Sequence, residues 1–131
     1  MSERPDDVEQ FICNYITSVE QLEILLLLFR SPDTYWSPDA LGHQLSLPAD
    51  LVAARVAELR HHGLVREGQS GSVYRFDPAD PEVRRKVQLV GDVYRERRIS
   101  VINAIYSANL TRLRTFADAF RIGAKKEPKH E

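Results

Sequence analysis

Along most of this chain apolar residues recur at spacings of three and four, the period of helices that turn one face inward. Asp6 as a cap predicts a short first helix running to Tyr15, and Ser18 followed by Gln21 is a capping-box spacing ahead of a second, Val19–Arg30. Leu22, Leu25, Leu26 and Phe29 share one face of that second helix. Ile24, Leu27 and Leu28 make the rest of it apolar too, which predicts burial between other elements or in a subunit contact. Ser31, Pro32 and Asp33 end it.

Tyr35 and Trp36 then read as a brief extended segment, with Trp36 anchoring the start of a strand in the core. Ser37 and Pro38 supply an N-cap and a first-turn proline for a short helix over residues 39–45. Ser46, Leu47 and Pro48 make a turn into a third helix, Ala49–His61, whose core face is Val52, Val56 and Leu59 and whose end is marked by Gly63. Residues 64–67 and 72–76 are strand-like and are joined by Gly68, Gln69, Ser70 and Gly71, the signature of a hairpin.

Asp80 and Pro81 open a longer pattern over residues 82–109, carried by Val83, Val87, Val90, Tyr94, Val101, Ile105 and Ala108 and weakest near Arg97 and Arg98. It predicts one helix of roughly 40 Å, too long for the preceding segment to cover. A short amphipathic helix is expected over residues 111–122, with Leu113, Phe116, Ala117 and Phe120 on one face as a core or dimer contact. From Gly123 onward, Lys125, Lys126, Pro128 and Lys129 predict a disordered tail.

The order helix, short helix, tight turn, helix, glycine and hairpin, in YWSPDALGHQLSLPADLVAARVAELRHHGLVREGQSGSVYRF, resembles the winged helix-turn-helix of bacterial regulators such as the MarR and ArsR types. The resemblance covers residues 19–76, and its core segment runs from Trp36 to Phe76. It implies a fold that is mainly α with a small β-hairpin, a winged helix-turn-helix followed by a long C-terminal helix and a short amphipathic helix. The implied organisation is a winged domain with N-terminal helices over residues 1–78, a helical dimerisation extension over 79–122 and a tail over 123–131.

What the resemblance implies for function is double-stranded DNA as partner, with the helix after Pro48 in the major groove and the hairpin on the backbone. On that basis the candidate DNA contacts are Asp50, Leu51, Ala54 and Arg55 on the helix, and Arg66, Gln69, Ser70, Ser72 and Arg75 on the wing. The long helices that flank such reading heads commonly dimerise, which makes Val87, Val90, Tyr94, Val101 and Ile105 the candidate homodimer interface. A dimeric transcription regulator is one expectation. The other is a protein-interaction adaptor without sequence-specific DNA binding, in which Leu51, Ala53 and Ala54 form a small apolar patch.

Charge bears on that choice. Residues 36–81 carry 4 Lys and Arg against 6 Asp and Glu, whereas 82–109 and 110–131 each carry 6 against 3 and residues 1–35 carry 2 against 7. The winged segment is therefore slightly acidic, and Arg55 is its one good groove reader. The basic side chains Arg84, Arg85, Lys86, Arg95, Arg97 and Arg98 make either a solvated helix face or a surface for an anionic partner.

His43, His61 and His62 have no cysteine or carboxylate set to complete a metal site, and no nucleophile elbow or phosphate-cradling glycine loop is present. No metal, cofactor or catalytic activity is expected. Cys13, among Phe11, Ile12 and Ile16, is expected as a small buried residue and forms no internal disulfide, in keeping with a bacterial cytoplasm. The longest apolar run, 24–29, is far below the roughly 20 residues that cross a bilayer.

Overall fold

The local signals fix most element boundaries. In the computed structural model, which describes residues 5–125 and the side chains of 7–120, six helices and two strands follow in order: α1 (Pro5–Tyr15), α2 (Val19–Arg30), α3 (Pro38–Leu45), α4 (Ala49–His61), β1 (Val65–Glu67), β2 (Tyr74–Phe76), α5 (Pro81–Glu96) and α6 (Arg98–Lys125). The protein is thus mainly helical with one small antiparallel hairpin. No single helix among the described residues is long and apolar enough to cross a membrane. The expected tail lies, from residue 126 on, outside the described residues, and residues 123–125 belong to α6.

Three caps form as their residue types require. The hydroxyl of Ser18 accepts from the Gln21 amide at 3.1 Å, Ser37 accepts from Ala40 at 3.0 Å and Asp80 accepts from Glu82 at 3.0 Å. The capping box at Ser18 closes one residue upstream of its usual place, with Gln21 Oε1 accepting from the Thr17 amide at 2.6 Å. α1 opens at Pro5, so Asp6 lies in its first turn and not at its cap.

α2 is the central element. It packs against α3, α4, β2 and α5, which accounts for its apolar circumference: Leu22, Ile24, Leu25 and Leu28 have no exposed surface. The turn between α3 and α4 is tight enough that Leu47 donates to the Gly42 carbonyl at 2.9 Å, and a Cβ at position 42 would lie 2.5 Å from the Leu47 carbonyl oxygen. Only glycine fits there. Gly63, at φ 76°, reverses the chain after α4 into β1.

In the hairpin Val65 faces Phe76, Arg66 faces Arg75 and Glu67 faces Tyr74. Trp36 adds a single bridge on the far side of β2, exchanging backbone hydrogen bonds with Tyr74 at 2.7 and 2.8 Å. The Phe76 ring is buried, meets Phe29 edge-on at 5.1 Å and lies under the guanidinium of Arg84 at 5.1 Å, so the hairpin is tied to both α2 and α5.

The expected single helix over 82–109 is instead broken at Arg97, at φ −135° and ψ 61°. The expected separate helix at 111–122 is the continuation of α6. The break has a physical reason: a straight rod would carry half of the apolar stripe past the body, whereas turning at Arg97 lets both halves pack on α1. Glu23 of α2 holds the joint, accepting from the Tyr94 hydroxyl at 2.8 Å and from Arg98 at 2.9 Å, while the Arg98 guanidinium sits 4.8 Å from the Tyr94 ring.

Val87, Val90, Tyr94, Val101 and Ile105 are all consequently 7% exposed or less within the protomer. This corrects their assignment to a dimer interface, because α1 and the fold of α5 on α6 already cover them. Core residues run without interruption from Val8 to Ala108, so the C-terminal helices share one hydrophobic cluster with α2, α4 and the hairpin.

Burial together with the neighbouring Glu23 carboxylate pushes the Tyr94 hydroxyl up to about 12. Because the folded value lies above the ordinary 10, the unfolded chain loses its proton first as pH rises. The contribution of Tyr94 to stability is thus fully present below pH 10 and is expected to decline from there toward 12. A series of chemical denaturations at alkaline pH checks this, and Tyr94→Phe should flatten that part of the profile.

Candidate functional site

Each arginine of residues 36–81 is engaged by a carboxylate of the same segment. On α4 the Arg55 guanidinium meets Glu58 at 2.6 Å, one turn on. Glu58 in turn accepts at 3.2 Å from Gln21, a fully buried side chain of α2. Arg55 is thereby drawn back against the body, with 27% of its side chain exposed, and is not the free groove reader that its position implies. The signal for this was the Arg55-x-x-Glu58 spacing, which puts opposite charges on one helix face.

On the hairpin, Arg66 and Arg75 stand opposite one another across the two strands, a like-charge pair that would repel. Asp77 resolves it by accepting from both, at 2.7 and 3.3 Å. Arg75 also stacks 5.5 Å from the Tyr35 ring. Arg60 meets Glu67 at 3.2 Å.

The four pairs differ in how firmly they hold. Arg60 and Arg66 keep 58% and 64% of their side chains exposed, and such surface pairs stabilise by about 1 kcal/mol or less, so both guanidiniums can leave for another anion. Arg55 and Arg75 are mostly covered and stay where they are.

The outward face of α4 is formed by Asp50, Ala53, Ala54 and Ala57, all exposed, with Leu51 half-buried beside them. Pro48 provides no side-chain cap, and Asp50 in the first turn accepts from the Leu51 amide at 3.0 Å. Its carboxylate therefore already uses the positive end of the helix. At the hairpin tip Gln69, Ser70 and Ser72 are exposed. The tip is shaped by positive φ at Gly71 and Ser72, with Gly68 donating to Val73 at 2.8 Å and Ser72 to Glu67 at 3.3 Å.

The structure thus separates the candidate DNA contacts. Asp50, Ala54, Gln69, Ser70 and Ser72 are open to a partner, Arg66 is open but paired, Leu51 is half-covered, and Arg55 and Arg75 are held. Such a surface has hydrogen-bond donors at the tip and methyl groups on α4, and few side chains able to read base edges.

Elsewhere, Cys13 is exposed and not buried, because α1 turns Phe11 and Ile12 inward and leaves position 13 on the outer side. It opens on a groove of about 430 Å³ between α1 and α6, edged by Glu9, Ser100, Asn103 and Ser107, in which no group of charged side chains converges. Among the described residues no cluster of three His, Cys, Asp or Glu is placed to hold a metal ion. His61 and His62 close α4, where the His62 ring meets Tyr15 edge-on at 5.5 Å.

No protein-family model, curated protein or solved structure matches this chain.

Proposed function

We propose that this chain is a winged helix-turn-helix regulator that meets duplex DNA as a dimer, with the first half of α4 in the major groove and the hairpin tip on the backbone. The observation that carries this is the topology from Trp36 to Phe76. An extended residue, two helices joined by a tight turn, and a hairpin whose second strand pairs with that first residue make the frame in which a helix is held out for a groove. On the outer face of α4 Asp50, Ala53 and Ala54 are exposed to solvent, as are Gln69, Ser70 and Ser72 at the tip of the hairpin.

The chemistry sets the strength. Phosphate contact comes from Arg60 and Arg66 once released from Glu67 and Asp77, and from the tip hydroxyls and amide. Base contact is limited to the methyl groups of Ala53 and Ala54 against thymine, so discrimination among sequences is low. Two mobile guanidiniums per subunit give a dimer four phosphate contacts, hence an affinity that falls about a hundredfold between about 50 mM and 200 mM salt. Binding of a random duplex at those two concentrations tests it. Undetectable binding at the lower salt, or affinity indifferent to salt, contradicts it.

A second function, an adaptor for another protein, is favoured by one observation: Arg55 is tied to Glu58, and the α4 face is left small and apolar at Ala53, Ala54 and Ala57. A defined complex that survives nuclease treatment and is lost in Ala54→Glu supports that alternative.

A further inference from the structure

We infer that α6 carries the surface on which a second copy of this chain docks. This rests on the dimeric regulator proposed above and moves its interface to residues that the protomer leaves uncovered. Ile99, Tyr106, Leu110, Leu113, Phe116 and Phe120 are between 58% and 73% exposed, on one helix. Monomeric proteins rarely leave contiguous apolar patches beyond a few hundred Å². With about 200 Å² for a whole large side chain, these six leave roughly 800 Å² open, the share of one partner in an interface of standard size.

Their spacing points to a helix as the occupant. Ile99, the half-buried Ile102, Tyr106, Leu113, Phe116 and Phe120 advance by three, four, seven, three and four, a 3.5-residue period that stays on one seam only against another helix. The missing step of the heptad is Asn109, whose side chain is engaged within the protomer, donating to the Thr17 carbonyl at 3.0 Å. Every residue of 113–120 is exposed, so this end of α6 stands clear of the body. A helical segment of that length is marginal in water by itself, and a partner is what keeps it helical.

The partner is α6 itself. Among the described residues the other five helices leave no large hydrophobic side chain exposed, whereas α6 offers a ridge long enough to match its own length. Partner choice in helix pairs is set by charges flanking the seam. Here those flanks carry Asn103, Leu110, Ala117 and Ala119, and both of their cations are engaged within the protomer, Arg98 by Glu23 and Arg112 by backbone carbonyls of α1 and of the turn after it. A seam without free flanking charge calls for no oppositely charged partner and accepts its own copy about a two-fold axis.

The test uses the full chain without DNA, so that it stands apart from the binding assay above. Sedimentation equilibrium at about 50 µM, a concentration at which an interface of standard size is populated, should give twice the 15.0 kDa of the chain. The double variant Leu113→Glu, Phe116→Glu should give 15.0 kDa with the helical signal of the body and its cooperative melting retained, since neither side chain is part of the core. A wild-type monomer overturns the proposal, including one that instead sediments with anionic phospholipid vesicles. So does a dimer that survives the double substitution. Loss of DNA binding with the dimer intact overturns the proposed function and leaves this interface standing.

Discussion

Phe76→Ala is expected to cost about 3–5 kcal/mol, the largest effect of any single truncation near the hairpin. The ring is 1% exposed and ends β2, where it is gripped by Phe29 from α2 and Arg84 from α5. Removing it opens a cavity and also takes away the contact that aligns the hairpin with the helices. Domains of this size are stable by about 5–15 kcal/mol, so the change removes a large share of the total and lowers Tm by roughly 10–20 °C. Thermal unfolding followed by circular dichroism measures it. Phe76→Leu, which keeps most of the volume, should lose far less.

Arg112→Ala is expected to cost about 2–3 kcal/mol, through charge-assisted hydrogen bonds and not through apolar burial. One terminal nitrogen of Arg112 donates to the carbonyls of Ile12 and Cys13 at 2.8 Å and of Ile16 at 3.0 Å, and the other donates to Asn109. The guanidinium therefore bridges the Ile12 and Cys13 carbonyls in the last turn of α1 and the Ile16 carbonyl just after it, and places its charge at the negative end of that helix. Hydrogen exchange should show α1 amides losing protection while those of α4 change little. Arg112→Lys should recover only part of the loss, because a single ammonium has no second nitrogen to donate to Asn109 while the first meets the carbonyls.

Features of the chain that depend on neighbours in sequence were legible in it. Ser18, Ser37 and Asp80 each cap a helix where their spacing required, and Gly63 ends α4 in the left-handed conformation. The hairpin is found between the glycines that bound it, though its paired strands are shorter than the strand-like runs. The all-round apolarity of α2 correctly signalled burial, and the choice between its own body and a subunit contact fell to its own body.

Features that depend on distant residues were not legible. The break at Arg97 is decided by what α1 and Glu23 offer across the fold, and nothing in the local pattern at Arg97 and Arg98 beyond a lapse in the stripe marks it. The burial of Val87 to Ile105 follows from that break. The Asp77 bridge between Arg66 and Arg75 needs the strand register before it can be seen. Two signals were present and under-read. One was the Arg55 and Glu58 pair, and the other was the heptad spacing from Ile99 to Phe120, divided between two expected helices because Asn109 and Thr111 look like a boundary.

The charge pattern also revises how the candidate interface works. A slightly acidic segment in which every arginine is paired does not draw DNA from a distance. On the proposed function its contacts would be made at close range, by exchange of Arg60 and Arg66 from carboxylate to phosphate, and doubled by symmetry in a dimer. This ties the two proposals together, since a monomer would offer only two exchangeable cations.

The most direct test of the central claim is a backbone amide NMR titration of the full chain with a short random duplex at about 50 mM salt, conditions in which phosphate contacts dominate. Resonance shifts are expected at residues 49–54 of α4 and at 68–72 of the hairpin tip, reversed when salt is raised. Shifts confined to α5 and α6, or none at saturating duplex, would contradict it.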